Sequence, residues 1–241
     1  MFVIGIKEWI SFFSNLTGYV TIIIFLLLTG LFLFVFPNTS LLEYGYATLE
    51  PFFNIAPWVM LFLISTITMR SFADEFKSGT FELLRTWPLS YTQIIMGKYV
   101  GCFCVVLMAL LPTSIYVYTI QHLSVSGGID VGATIGSYLG LLLLCASFTA
   151  IGIFTSSLTN STIIAFVASA FVCFVLYSGF NAISNIPVFQ AGADYYIEML
   201  GIDFHYKNIS RGVVDTRDVM YFISVISIFL FATKQQLQRK K

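Results

Sequence analysis

Residues 69–99 read MRSFADEFKSGTFELLRTWPLSYTQIIMGKY, and they interrupt a chain that otherwise carries little charge. Arg70, Asp74, Glu75, Lys77, Glu82, Arg85 and Lys98 crowd into this stretch, whereas the 241 residues as a whole are 58% hydrophobic and only 10% charged. A water-facing surface needs about a quarter of its residues charged. The composition, with a mean hydropathy of +0.88, therefore describes a membrane protein, and residues 70–98 are a place where it leaves the membrane. The formal net charge is zero, which gives a nucleic-acid partner nothing to bind electrostatically.

Outward from this segment, six apolar runs are long enough to cross a hydrocarbon layer of about 30 Å at about 1.5 Å per helical residue. They cover 17–36, 54–69, 99–120, 131–154, 162–182 and 219–233. Pro37 and Asn38 stop the first. Pro57 falls early in the second, where a missing N–H matters least, and Pro112 predicts a kink in the third. The expected fold is all-α, a single membrane domain over 1–241. Residues 1–15, MFVIGIKEWISFFSN, mix Phe2, Ile6, Trp9, Ile10 and Phe13 with Lys7, Glu8 and Ser11. They read as an amphipathic helix lying at the interface rather than as a cleaved leader.

Lys and Arg set the orientation. With the N-terminus inside, the cytoplasmic side holds Lys7, Arg70, Lys77, Arg85, Lys98, Lys234, Arg239, Lys240 and Lys241, against Lys207, Arg211 and Arg217 outside. Both termini are expected in the cytoplasm, and 70–98 becomes the cytoplasmic loop between spans two and three. Within it, Ser71 stands three residues before Asp74 and Ser90 three before Gln93, both capping-box spacings. Gly79 and Pro88 break the helical pattern, which predicts a short helix over 80–86 and a new start at Ser90. A competing reading gives the charges no task beyond fixing topology.

Elsewhere the polar residues are sparse. Cys102, Cys104, Cys145 and Cys173 lie in apolar runs and read as small buried hydrophobes. Gly136 and Gly140 form a G-x-x-x-G, and Ala165 and Ser169 give the fifth span a small face, both suited to close helix packing. The stretch TSSLTNST, 155–162, is either a tight turn or a second cytoplasmic contact. His122 and His205 have no metal-ligand spacing. No Asp, Glu, Lys or Arg lies deep in a predicted span, which weakens an ion-coupled carrier. The outer loop, 183–218, contains an amphipathic stretch over 188–215 that could lie as a lid on the bundle.

The string from Asp74 to Lys98 resembles the cytoplasmic loop of ABC-2 type permeases. In that family an acidic residue, Gly-Thr, Glu-Leu-Leu, a Pro followed by a small residue, and Gly-Lys recur at this spacing. Here they are Glu75, Gly79, Thr80, Glu82, Leu83, Leu84, Pro88, Ser90, Gly97 and Lys98. Arg211-Gly212-Val213-Val214-Asp215, followed by Arg217-Asp218-Val219, is similar to the family's lead-in to its last span. Within the family, the chain is most similar to the permeases of the gliding-motility-associated ABC transporters of Bacteroidetes.

The resemblance implies a permease subunit in the bacterial inner membrane that works with a separate ABC ATPase and a second permease, identical or different. Loop 70–98 would then hold a coupling helix contacting that ATPase through Glu75, Lys77, Gly79, Thr80, Glu82, Leu83, Leu84, Arg85 and Pro88. ATP and magnesium would bind the partner, because this sequence has no G-x-x-x-x-G-K-[ST] phosphate loop. The chain itself is then not an enzyme and binds no cofactor. The alternatives are an ion-coupled secondary carrier and a membrane scaffold without ATP coupling.

Overall fold

The computed structural model describes residues 2–36, 47–82, 89–124, 128–187, 194–212 and 214–239. Among them every regular element is helical. Six helices are long and apolar enough to cross a membrane. The first is α2 (Leu16–Phe34), which follows the N-terminal α1 (Phe2–Phe13) after a two-residue turn. Gly18 makes that turn possible, since a Cβ there would overlap the Phe12 carbonyl oxygen.

The second span is α3 (Glu50–Thr68), which begins with Pro51 in its first turn. It does not stop at the end of its apolar run. Met69 keeps helical angles, and α4 (Arg70–Ser78) carries the helix on into the charged stretch. Ser71 therefore caps nothing: with Met69 helical there is no helix start at this point, and the capping box expected at Ser71 and Asp74 does not form. Gly79 ends α4 in the left-handed conformation, at φ 71°, which glycine adopts without the usual Cβ penalty. Helical backbone resumes over 80–82.

The third span is α5 (Tyr91–Leu110), a 3₁₀ turn (Leu111–Thr113) and α6 (Ser114–Leu123). Its start is the capping box expected at Ser90 and Gln93: the Ser90 hydroxyl accepts from the Gln93 amide, and the Gln93 side chain accepts from the Ser90 amide. The 3₁₀ turn contains Pro112, whose ring cannot sit against an ordinary preceding α-turn.

The fourth span, α7 (Val131–Leu158), opens on an Asp130 side chain that accepts from the Ala133 amide. It is the centre of the molecule. Leu141, Leu144, Phe148 and Ile151 are fully buried, packed with Met60 and Ile64 of α3 and Val106 of α5. The fifth span joins α8 (Thr162–Phe174), a π-helical segment (Val175–Gly179) and α9 (Phe180–Ser184). Ser65 of α3 donates to Ser169 of α8 at 3.0 Å, a buried polar link between spans two and five.

Outside the spans, α10 (Asp194–Glu198) and α11 (Ile202–Ser210) precede the last span, α12 (Thr216–Arg239). Ile202, Tyr206 and Ile209 turn α11 into the core. The G-x-x-x-G face meets this outer segment: a Cβ on Gly136 would lie 3.0 Å from the Gly212 Cα, and one on Gly140 3.0 Å from Ile209. Gly212 itself has φ 87°. The glycines thus seat the outer helix on α7. Of the four cysteines, Cys102, Cys145 and Cys173 are buried as expected, whereas Cys104 is exposed on the apolar flank of α5.

Candidate functional site at the junction of α1, α4 and α5

The charged segment has two faces. Its inner face is made by Ser71, Phe72, Ala73 and Phe81, all buried. Phe72, Phe76 and Phe81 form an aromatic cluster, with ring centroids 4.9 Å apart for Phe76 and Phe81. Ile4, Ile94, Ile95, Ile153 and Leu237 complete this small second core, which brings α1, α5, α7 and α12 together at one end of the bundle. The outer face carries Asp74, Lys77, Ser78, Thr80 and Glu82, all exposed.

Lys98 stands at the centre of the inner side. Its side chain is 1% exposed, although the sequence places it among the loop cations. The ammonium donates to Glu8 Oε1 of α1 at 2.5 Å, to Glu75 Oε1 of α4 at 2.8 Å and to the Ser71 carbonyl oxygen at 2.6 Å. An ammonium has three N–H donors, so each has an acceptor. The Phe72 ring centroid lies 5.0 Å from the same nitrogen, within reach of a cation–π attraction. Lys7, more exposed, approaches Glu75 at 3.9 Å. Two lysines against two glutamates leave the cluster neutral, which is the condition for keeping charge out of water.

Glycines allow this burial. A Cβ on Gly101 would come 2.8 Å from the Gly5 carbonyl oxygen and 2.9 Å from the Glu8 Cβ, and one on Gly5 would lie 3.1 Å from the Gly97 carbonyl oxygen. α1 therefore lies backbone to backbone on α5 and roofs Lys98 with Glu8. Ile6 and Ile10, on the other side of α1, remain exposed at 55% and 54%.

A second fastening comes from α7. The Ser156 hydroxyl donates to the Met69 carbonyl oxygen at 3.0 Å and accepts from the amides of Phe72 and Ala73 at 3.0 and 3.2 Å. It holds the junction between α3 and α4. The stretch 155–162 thus supplies an internal pin at Ser156, while Thr159 to Ser161 form the turn into α8.

The residues expected at an ATPase contact divide accordingly. Lys77, Gly79, Thr80 and Glu82 lie exposed on the outer face. Glu75 faces inward to Lys98, its side chain 12% exposed. Leu83, Leu84, Arg85 and Pro88 lie outside the described residues. The sequence reading missed Glu8 and Ser156 as parts of this junction and took Lys98 as a loop cation and a motif residue. The one trace of their role is the spacing of Gly97 and Gly101 on either side of Lys98, a small face that could admit another helix.

Among the described residues no group of His, Cys, Asp and Glu could hold a metal ion. At the junction a helix with a polar outer face is held by ion pairs and hydrogen bonds to α1 and to two spans, through Lys98 of α5 and Ser156 of α7. A family model described as ABC-2 family transporter protein matches residues 16–203. Among curated proteins, nothing matches the chain.

Proposed function

We propose that this chain, which belongs to the ABC-2 family of transporter proteins, is the permease subunit that receives the stroke of a separate ABC ATPase through α4. The observation that carries this reading is the Lys98 cluster, which ties α4 to α1 and α5. A push on the exposed Lys77, Thr80 or Glu82 is delivered to spans two and three together, because the element that receives it cannot slide on the membrane domain. Rigid coupling of this sort is how closure of one subunit becomes rotation of another.

On this reading the α1 face is cytoplasmic, both termini are inside, and the membrane is the bacterial inner membrane. The excess of Lys and Arg on that side supports it. A second permease, identical or different, completes a two-fold complex, and ATP with magnesium binds the ATPase partner. The work delivered is export or mechanical force. Gliding motility is the setting we favour, on the resemblance of residues 74–98 and 211–219 alone.

The experiment is purification of the full chain in mild detergent with whatever accompanies it, followed by ATPase measurement. An ABC ATPase should co-purify, and Lys77→Ala with Glu82→Ala should abolish stimulation of its activity by this chain while leaving the chain folded. Normal stimulation in that variant would remove the outer face of α4 from the mechanism. Transport driven by an ion gradient, with no ATPase present, would overturn the reading altogether.

A further inference from the structure

Beside the junction, two cavities meet. One, of about 250 Å³, lies between α1, the start of α2 and the junction of α3 with α4. Its polar lining includes Glu8, Ser11, Thr17 and Arg70, and its apolar lining includes Val20 and Ile67. The other, of about 220 Å³, is a groove between α2 and α3 lined by Ile24, Phe25, Leu28, Val59, Phe62 and Leu63. Thr21 and Thr66 line both, so the two adjoin. The hydroxyls of these threonines are already engaged in their own helices, to the carbonyls of Thr17 and Phe62. From the first cavity to the second the lining loses its charged side chains.

Two charged side chains, Arg70 and Glu8, stand at the polar end. Arg70 donates to the Thr17 hydroxyl at 3.2 Å and has no carboxylate within ion-pair distance among the described residues. A guanidinium has five N–H donors, which leaves most of them for a ligand. Glu8 keeps 20% of its side chain exposed while it binds Lys98. Arg70 suits a phosphate, and the part of the Glu8 carboxylate not bonded to Lys98 can accept from an ammonium, a donor that a glycerol headgroup lacks. The groove beyond is open on the apolar flank of the bundle, where Ile24 and Phe62 are 51% and 57% exposed. A soluble ligand has nothing to place there; an acyl chain has.

We infer that the paired cavity binds one zwitterionic glycerophospholipid, its phosphate on Arg70, its ammonium toward Glu8 and one acyl chain in the groove between α2 and α3. This site is independent of ATP coupling and rests only on membrane embedding.

The test is native mass spectrometry of the full chain, with any co-purified partner, after stripping in detergent and titration with phosphatidylethanolamine, phosphatidylglycerol and soluble glycerophosphoethanolamine. One phosphatidylethanolamine should be retained in preference to phosphatidylglycerol, with no displacement by the soluble headgroup. Arg70→Gln should weaken retention about tenfold or more, the loss expected of a charge-assisted hydrogen bond, and Arg70→Lys should restore part of it. Thr66→Phe, which fills the place where the cavities adjoin and leaves Arg70 in place, should weaken retention as well and serves as the test if Arg70→Gln does not fold. Equal retention by folded Arg70→Gln or Thr66→Phe, preference for phosphatidylglycerol, or displacement by the soluble headgroup would each overturn the assignment.

Discussion

The hydroxyl of Tyr206 donates to the carbonyl oxygen of Phe53 at 2.7 Å, and Phe53 is the residue whose carbonyl Pro57 leaves without its helical partner. A proline removes the i to i−4 hydrogen bond; because α3 starts at Glu50, before the apolar run expected from 54, Pro57 lies in the helix interior and not near its start. The outer helix α11 supplies the missing donor from a side chain that is 2% exposed. Tyr206→Phe keeps the ring and orphans the carbonyl, which costs about 1–3 kcal/mol. The expected result is a lower thermal midpoint in detergent; an unchanged midpoint would mean that another donor reaches Phe53.

Gly101 tests whether α1 belongs to the working structure. Any side chain there meets the Gly5 carbonyl oxygen and Glu8, backbone on one side and a fixed residue on the other. Gly101→Leu should lift α1 from α5 and expose Lys98. Hydrogen exchange should then rise in residues 2–13 and 70–78 together. A rise confined to 2–13 would show that α4 does not depend on α1.

Lys98 and its carboxylates behave as a unit. Lys98→Met leaves Glu8 and Glu75 facing each other with only the exposed Lys7 nearby, 3.9 Å from Glu75, and breaking a buried pair from one side costs about 3–5 kcal/mol. Combining Lys98→Met with Glu8→Gln and Glu75→Gln removes the uncompensated charge, and most of that loss should return. Thermal midpoints of the single and triple variants decide it: additive losses would mean that the three residues act separately.

Ser156→Ala removes one hydroxyl and three hydrogen bonds at the junction between α3 and α4. A loss of about 1–3 kcal/mol is expected. If α4 transmits force, ATPase stimulation should fall by more than it does in Ser157→Ala, whose hydroxyl bonds only within its own helix. Equal stimulation in the two variants would make Ser156 a stabilising contact alone.

The spans were legible because bilayer thickness fixes their length and hydropathy reveals it. Pro112 and Ser90 announced a local distortion and a helix start, since both act through bonds within a few residues. The junction was not legible in the same way. Lys98, Glu75 and Glu8 are far apart in sequence, and a cation next to a loop looks the same whether water or another helix covers it. Ser71 misled for a related reason: a cap needs a helix start, and nothing local told that helical backbone would continue from α3 through Met69 into α4. His205 shows the same gap. Its ring nitrogens lie 2.6 Å from Asp218 and 2.9 Å from the Met199 carbonyl oxygen, partners that spacing alone could not supply.

The π-helical segment Val175–Gly179 bears on how the fifth span could have changed its length. One residue of α-helix turns the chain by about 100°, so a single insertion in a rigid rod would misdirect every side chain after it. A wider turn absorbs the surplus residue where it occurs. Ser169, bonded to Ser65 before the segment, and Asn181, bonded to Glu198 after it, can then both keep their partners. The span is in this sense two registers spliced into one helix, and shortening it by a residue at 175–179 is the deletion it is best built to accept.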